Sequence, residues 1–329
     1  MIRRVVCFIV IYFLCVITCY QSTYAAVSPP VPKSPATPLS LNYAPIPLWQ
    51  GMFTDLKNWK INNWKVNKLP SWGSKNIQVR ASTSANGTSP HGDNYLRIRY
   101  PAGSANSGAS PPLPLGGAQF YGAMIDSSTP ITMSFFIRFP TNFPFDFVKP
   151  TTSSPYTIGK LPGLFGGTGN TGNHVPTGTD GWTTRYMWCD YVESTRKKVR
   201  AGGELLLFTP GSNKGLYGHS YGTHVGCNNW HFSADGQWHN LQQTIHLNDP
   251  GVANGRIDVC YDGNLVLTET NVTFRTVDKL NIDGILFQSF FGGSGADYAT
   301  PTSTYIDFAD FALYPYPATA APGACISNP

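Results

Sequence analysis

Several stretches of the chain alternate apolar and polar residues with the period of two that gives a β-strand its two faces. Tyr95-Leu-Arg-Ile-Arg-Tyr100 groups Tyr95 with Arg97 and Arg99, and Ile131-Thr-Met-Ser-Phe-Phe-Ile-Arg-Phe139 groups Ile131, Met133, Phe135, Ile137 and Phe139. Ile257–Tyr261 reads as a strand entering a turn at Gly263-Asn264 and returning through Leu265–Thr268. Further strands are expected at Thr184–Val192, Leu205–Phe208, Leu241–Leu247, Ile285–Phe291 and Tyr305–Leu313. Glycine-rich connections separate these runs, and no regular helical pattern lies between them. The pattern predicts an all-β fold, an antiparallel two-sheet sandwich of jelly-roll or Greek-key type. A β-solenoid would need a repeat of fixed period, which the chain lacks.

The ends do not share this pattern. Met1-Ile-Arg-Arg4, the apolar run Val5–Thr18 and Ser22-Thr-Tyr-Ala-Ala26 follow the charged, apolar and small-residue order of a secretory signal. The expected organisation is a signal peptide over 1–25, a proline-rich linker over 26–42, one folded domain over 43–316 and a tail over 317–329. The linker has too little apolar surface to fold, and the tail is expected to be loose apart from Cys325. The apolar run is short for a membrane span and no later segment resembles one, so no stable membrane insertion is expected after signal removal. The expected location is extracellular.

Composition narrows the function classes. Only 12% of residues are charged and the net charge of +5 is spread over 329 residues, which gives nucleic acid no dense basic patch to meet. Of the seven cysteines, Cys7, Cys15 and Cys19 leave with the signal. Cys189, Cys227, Cys260 and Cys325 remain, and in an oxidising compartment they imply two disulfides with three possible pairings. Their spacing does not form a tight zinc-type set, and the acidic loops lack an EF-hand pattern; a structural calcium is the one ion left open. Asn86-Gly-Thr88 and Asn271-Val-Thr273 are acceptor triplets for N-linked glycan.

The candidate chemistry centres on two cations. Lys160 lies in Gly159-Lys-Leu-Pro-Gly-Leu-Phe-Gly-Gly167, a segment fixed by glycine and proline, and Arg185 lies in the strand-like Gly181-Trp-Thr-Thr-Arg-Tyr-Met-Trp188. Alternation puts Thr183, Arg185, Met187 and Cys189 on one face. Two cations among aromatic rings suit an acidic sugar polymer, with carboxylates for the charges and apolar sugar faces for the rings.

These two segments, followed by Phe287-Gln-Ser-Phe-Phe-Gly-Gly293, resemble in their order the motifs of polysaccharide lyase family 14. Trp238-His-Asn-Leu-Gln-Gln-Thr-Ile-His-Leu-Asn248 and Tyr305-Ile-Asp-Phe-Ala-Asp-Phe-Ala-Leu-Tyr314 are similar to that family and to the family 20 glucuronan lyases. The resemblance spans roughly residues 90–315 and implies a β-jelly roll whose groove binds polyuronates such as alginate or glucuronan. It implies that Lys160 is the catalytic lysine and Arg185 the active-site arginine that holds a carboxylate. Thr183 stands where the family usually has serine and keeps the hydroxyl. No organic cofactor is implied.

Elementary chemistry fits such a substrate. Breaking the C4–O4 bond of a uronate by elimination requires removal of the weakly acidic C5 proton while charge builds on the adjoining carboxylate. One group must take that proton and another must protonate O4. The family's next element is a Tyr-x-Tyr-x-Pro strand, and here it reads Leu206-Leu-Phe-Thr-Pro210, so both phenols are replaced by side chains without a transferable proton. Tyr217, His219, Tyr221 and His224 in the following loop, and Tyr191 on the face of Arg185, are the candidate substitutes for acid–base work. Gln243 and His246, Trp182 as a sugar platform, and Gly292 as bare backbone near a ligand are the candidate substrate-binding residues.

Other hydrolytic chemistry is poorly served. No Gly-x-Ser-x-Gly elbow accompanies an α/β pattern. The carboxylate pairs Asp190 with Glu204 and Asp307 with Asp310 are not distinguished by spacing as a glycosidase pair. The sequence therefore leads to a secreted polysaccharide lyase acting on an acidic polysaccharide by β-elimination. The alternative is a non-catalytic carbohydrate-binding or cell-wall protein on the same fold. Oligomeric state is not legible.

Overall fold

The computed structural model describes residues 45–53, 63–66, 68–85, 87–106, 113–145, 158–169, 171–172, 174–192, 197–212, 222–293 and 296–327, all within one unit, Pro38–Pro329. Sixteen strands run in chain order: β1 (Trp49–Gln50), β2 (Lys68–Trp72), β3 (Ile77–Arg80), β4 (Tyr95–Tyr100), β5 (Ala118–Gly122), β6 (Ile131–Arg138), β7 (Gly159–Lys160) and β8 (Gly163–Gly167). They continue as β9 (Gly181–Val192), β10 (Lys197–Phe208), β11 (Thr223–Val225), β12 (His239–His246), β13 (Gly255–Tyr261), β14 (Asn264–Val272), β15 (Gly284–Phe291) and β16 (Thr304–Pro315). Among the described residues the helical elements are single turns at Ser74–Asn76 and Ala296–Tyr298, and no helix is long and apolar enough to cross a membrane.

Two antiparallel eight-stranded sheets form a β-sandwich of jelly-roll type, as the alternation predicts. The back sheet runs β14-β13-β12-β6-β16-β4-β3, with β1 on β16. The front sheet runs β11-β10-β9-β7-β15-β5-β2, with β8 between β15 and β9. The inner faces bury a shared aromatic core that includes Trp64, Phe120, Phe135, Trp182, Tyr186, Trp188, Phe287 and Phe311. Phe120 stacks on Phe287 at 4.5 Å and Phe135 on Phe311 at 4.7 Å between ring centroids. Burial of such rings is the main favourable term, about 2–3 kcal/mol for each large side chain.

The predicted faces hold. Leu96 and Ile98 point into the core of β4, while Arg97 turns out with Asp307 and Arg138, where the Asp307 carboxylate accepts from both guanidinium groups. Ile131, Met133, Phe135 and Ile137 are fully buried along β6. The β13–β14 turn falls one residue earlier than expected, on Asp262 and Gly263 at φ 49° and 75°, the left-handed pair that a two-residue hairpin requires, and Asn264 already belongs to β14.

Several expectations need correction. β10 begins at Lys197, well before Leu205, and pairs with β9 through an irregularity between Lys198 and Gly202. The tail is anchored beyond Cys325 alone: Ile326 packs with Ala312 and Tyr314, and its backbone exchanges two hydrogen bonds with the Gln242 amide. The disulfides join Cys189 to Cys227 and Cys260 to Cys325, which selects one of the three possible pairings. Of the glycan triplets, Asn271 is exposed on β14, whereas Asn86 lies outside the described residues. So do the signal peptide over 1–25 and the linker over 26–42.

Candidate active site

The outward face of the front sheet holds the chemistry. Along β9, Trp182, Tyr186 and Trp188 enter the core, so by alternation Thr183, Arg185, Met187 and Cys189 face outward. β7 is a two-residue bridge in which Lys160 sits opposite Phe290 of β15 on one side and Met187 of β9 on the other. Its register is fixed from below: a Cβ on Gly159 would lie 1.9 Å from the Trp188 ring, so only glycine lets the indole pass under the strand. The strand is interrupted at Leu161-Pro162 before β8 begins, although the Leu161 N–H still donates to the Tyr186 carbonyl.

The two cations therefore share one face. The half-buried Lys160 Nζ lies 3.1 Å from the Met187 thioether. Burial, with the Arg185 charge adding to it and Glu204 opposing, pushes the Lys160 amine down to about 7. Arg185 is only 3% exposed. Its Nη1 donates to the Gln288 side-chain oxygen, and the Gln288 amide donates in turn to Gln119. The guanidinium carbon lies 4.7 Å from the Phe208 ring centre. Burial lowers the Arg185 pKa, and no carboxylate pairs with it among the described residues. Its Nε is a buried donor without a hydrogen-bond partner.

Three registers set the surroundings. Leu206 of β10 is opposite Arg185, Glu204 is opposite Met187, and Phe208 is opposite Thr183. Leu206 and Phe208 form an apolar patch with Met187, and the main chain at Gly222 closes over it: a Cβ there would come within 2.6 Å of Leu206. His224 of β11 is opposite Leu206, and its Nδ1 bonds to the Glu204 carboxylate. Cys189 faces outward beside them, and its disulfide to Cys227 ties the segment after β11 to β9. Cys189, Glu204 and Cys227 bring metal-type ligand atoms within 4.8 Å of one another. With the sulfurs bonded to each other, that trio lacks the thiolates a metal would need.

The residues expected from sequence divide into several groups. Lys160, Arg185 and His224 lie on the same face, and Thr183 shares it but is fully buried between Phe165 and Phe208. Tyr191 continues β9, while Tyr217, His219 and Tyr221 lie outside the described residues. Three expectations fail. Gln243 belongs to the back sheet and turns inward, where its oxygen accepts from Thr184 Oγ1 at 2.6 Å. His246, on the same strand, alternates outward beside Asp258 and Tyr316, on the far side of the sandwich. Trp182 is a fully buried core ring packed on Phe274. Gly292 is glycine because a side chain at its φ of 87° would meet Tyr298 at 2.3 Å.

Two of the four carboxylates weighed for a glycosidase are displaced from that face. Asp307 and Asp310 lie on β16 of the back sheet, where Asp307 is occupied by Arg97 and Arg138 and Asp310 by His91. Glu204 is engaged with His224. Sequence reading missed Gln119, Gln288 and Tyr121, which reaches Gly169 with its hydroxyl at 2.9 Å. Gln288 sits inside a motif already singled out, and alternation from the core-facing Phe287 would have turned it outward.

The family model for polysaccharide lyase 14 matches residues 88–311. No curated protein sequence matches the chain. Among solved structures, the marine PL-14 alginate lyase from Aplysia kurodai is 24% identical with a TM-score of 0.61, covering 82% of this chain and all of the other. An alginate lyase from Chlorella virus is 17% identical, with a TM-score of 0.57 over 82% of this chain and all of its own. An endo-β-1,4-glucuronan lyase from the fungus Trichoderma reesei is 12% identical, with a TM-score of 0.51 over 85% of this chain and all of its own.

Proposed function

The chain belongs to polysaccharide lyase family 14, and from that membership we propose that it cleaves a uronic-acid polysaccharide by β-elimination at the face bearing Lys160 and Arg185. The observation that carries the reading is the Arg185 guanidinium: buried, held by a neutral amide, without a carboxylate partner among the described residues, and with Nε unsatisfied. An unpaired buried charge is costly, and a substrate carboxylate is the ligand that would relieve it.

The residues then act in sequence. Arg185 holds the carboxylate and stabilises the negative charge that grows there as C5 loses its proton. Lys160, with its amine brought down to about 7, is neutral often enough near that pH to accept the C5 proton. Gln288 and Gln119 fix the guanidinium without neutralising it. The similarity to alginate and glucuronan lyases supports polymers of mannuronate, guluronate or glucuronate as the substrate class.

Export through the signal segment at 1–25, with the linker and glycan sites that follow, belongs to the same proposal. Two disulfides support an oxidising compartment.

The test is incubation of the protein with polymannuronate, polyguluronate and polyglucuronate. Chain shortening accompanied by an ultraviolet-absorbing unsaturated end is expected, and it is lost in Lys160→Ala and Arg185→Ala. Binding to a polymer with no change in its length or absorbance would instead establish the non-catalytic alternative, which the apolar Leu206 and Phe208 favour.

A further inference from the structure

Elimination leaves an oxygen that must be protonated, and the base cannot be counted twice in one step. On the outward face of front-sheet strands β5, β7, β9, β10, β11 and β15, the described side chains that carry a transferable proton are Lys160, Arg185, Thr183, Tyr121 and His224; His231, bridged to Gly202 opposite Cys189, lies two rows farther along the sheet from Arg185. Arg185 is committed to charge, and Thr183 is fully buried. The Tyr121 hydroxyl is spent on the Gly169 carbonyl, and burial raises its pKa. That leaves His224, whose side chain is 48% exposed, against 4% for its partner Glu204.

The pair is built rather than incidental. Glu204 Oε1 engages His224 Nδ1, which fixes the ring and leaves Nε2 for a ligand. The Glu204 carboxylate lies within 4.8 Å of both sulfurs of the Cys189–Cys227 disulfide. That bridge clamps a three-residue edge strand that would otherwise be held by β10 alone. Register carries the pair to the cations: Arg185, Leu206 and His224 form one row across β9, β10 and β11, while Lys160, Met187 and Glu204 form the next. Two strand steps separate Arg185 from His224, about 10 Å, so one bound polymer can touch both.

Resting on the lyase reading above, we propose that His224 is the catalytic acid and Glu204 its positioning residue, replacing the phenols absent at Leu206 and Phe208. In the step, Lys160 Nζ takes the C5 proton and the C5–H electrons form the C4=C5 double bond. The C4–O4 bond breaks toward oxygen, and the imidazolium Nε2–H gives its proton to O4. Lysine ends charged and histidine neutral, and exchange with water restores both.

The experiment uses whichever of the three polyuronates the wild-type protein cleaves. His224→Ala is expected to lower kcat about 100-fold or more with KM held within about threefold, and added imidazole is expected to restore part of the loss. His224→Gln, which fills the site, is expected to lose activity without imidazole rescue. Glu204→Gln is expected to lower kcat about 10-fold at unchanged KM, since it loosens the ring without removing it. Melting curves identify any variant that fails to fold, and His224→Gln then decides in place of His224→Ala. A kcat for His224→Gln within about threefold of wild type overturns the assignment of His224 and leaves the lyase reading standing. So does a rise in KM that accounts for the whole loss. Absence of unsaturated product from the wild-type protein on all three polymers overturns the lyase reading, and this proposal with it.

Discussion

The ammonium nitrogen of Lys160 lies 3.1 Å from the sulfur of Met187, so the reactive amine rests against a thioether instead of a carboxylate. A soft, neutral neighbour does little to hold a positive charge, and burial and Arg185 both push the charge off.

This placement has two consequences in pH. The amine is neutral above about 7, so kcat is expected to rise from the acid side through that region. Removing the nearby charge with Arg185→Gln should move the midpoint of the residual activity upward. The stability effect has the opposite basis. Between about 7 and the ordinary 10.5 the unfolded chain binds the proton more strongly, so the cost of burying this lysine is full below 7 and fades toward 10.5. Lys160→Met should therefore raise the melting temperature at pH 6 and leave it nearly unchanged at pH 10.5, while abolishing elimination.

Gln288 offers a separate test of the carboxylate clamp. Its oxygen is the one described acceptor for the Arg185 guanidinium, so Gln288→Leu leaves a second donor of that group unsatisfied and free to swing. A hydrogen bond to a charged group contributes about 1.5–3 kcal/mol, so kcat/KM should fall about 10- to 100-fold. Arg185→Lys should do no better, because an ammonium cannot reproduce the planar two-point grip. Steady-state kinetics on the preferred polymer reads both.

Much of this fold is written in local pattern. Strands such as β4 and β6 alternate because one face meets the core, and their faces follow from period two alone. The two-residue β7 and three-residue β11 have no such period, because their neighbours define them. Lys160 and Arg185 were legible because long motifs fix their segments. Gln243 and His246 misled for a geometric reason: a polar residue on a strand reads alike whether it faces a ligand, the interior or the far surface. Gln243 proves to be a buried acceptor between the sheets, and His246 lies on the outer face of the back sheet. The partnership of Glu204 with His224 depends on pairing between β10 and β11, which no single strand encodes.

Those two misplaced residues give a control pair. Gln243→Leu strips the acceptor from the buried Thr184 hydroxyl, at a cost of about 1–3 kcal/mol, and should lower the melting temperature by several degrees. His246→Ala removes a ring packed beside Tyr316 on the far side and should have a smaller effect on stability. Neither should change KM for the polymer. A rise in KM in either variant would mean that the back sheet takes part in binding.

The two disulfides close loops of similar consequence for the unfolded chain but sit in different places. Sequence separations of 38 and 65 residues both correspond to about 4 kcal/mol of loop-closure stabilisation. Replacing Cys260 and Cys325 by serine leaves the tail held on the back sheet by Ile326 and its two bonds to Gln242, and should lower the melting temperature with kcat unchanged. Replacing Cys189 and Cys227 should cost comparable stability and also lower kcat, because β11 then loses its tether to β9 and His224 its fixed approach to Glu204. Measured well below both melting temperatures, the ratio of the two kcat values separates catalysis from stability. Equal kcat in the two variants would mean that the clamp on β11 serves the fold alone.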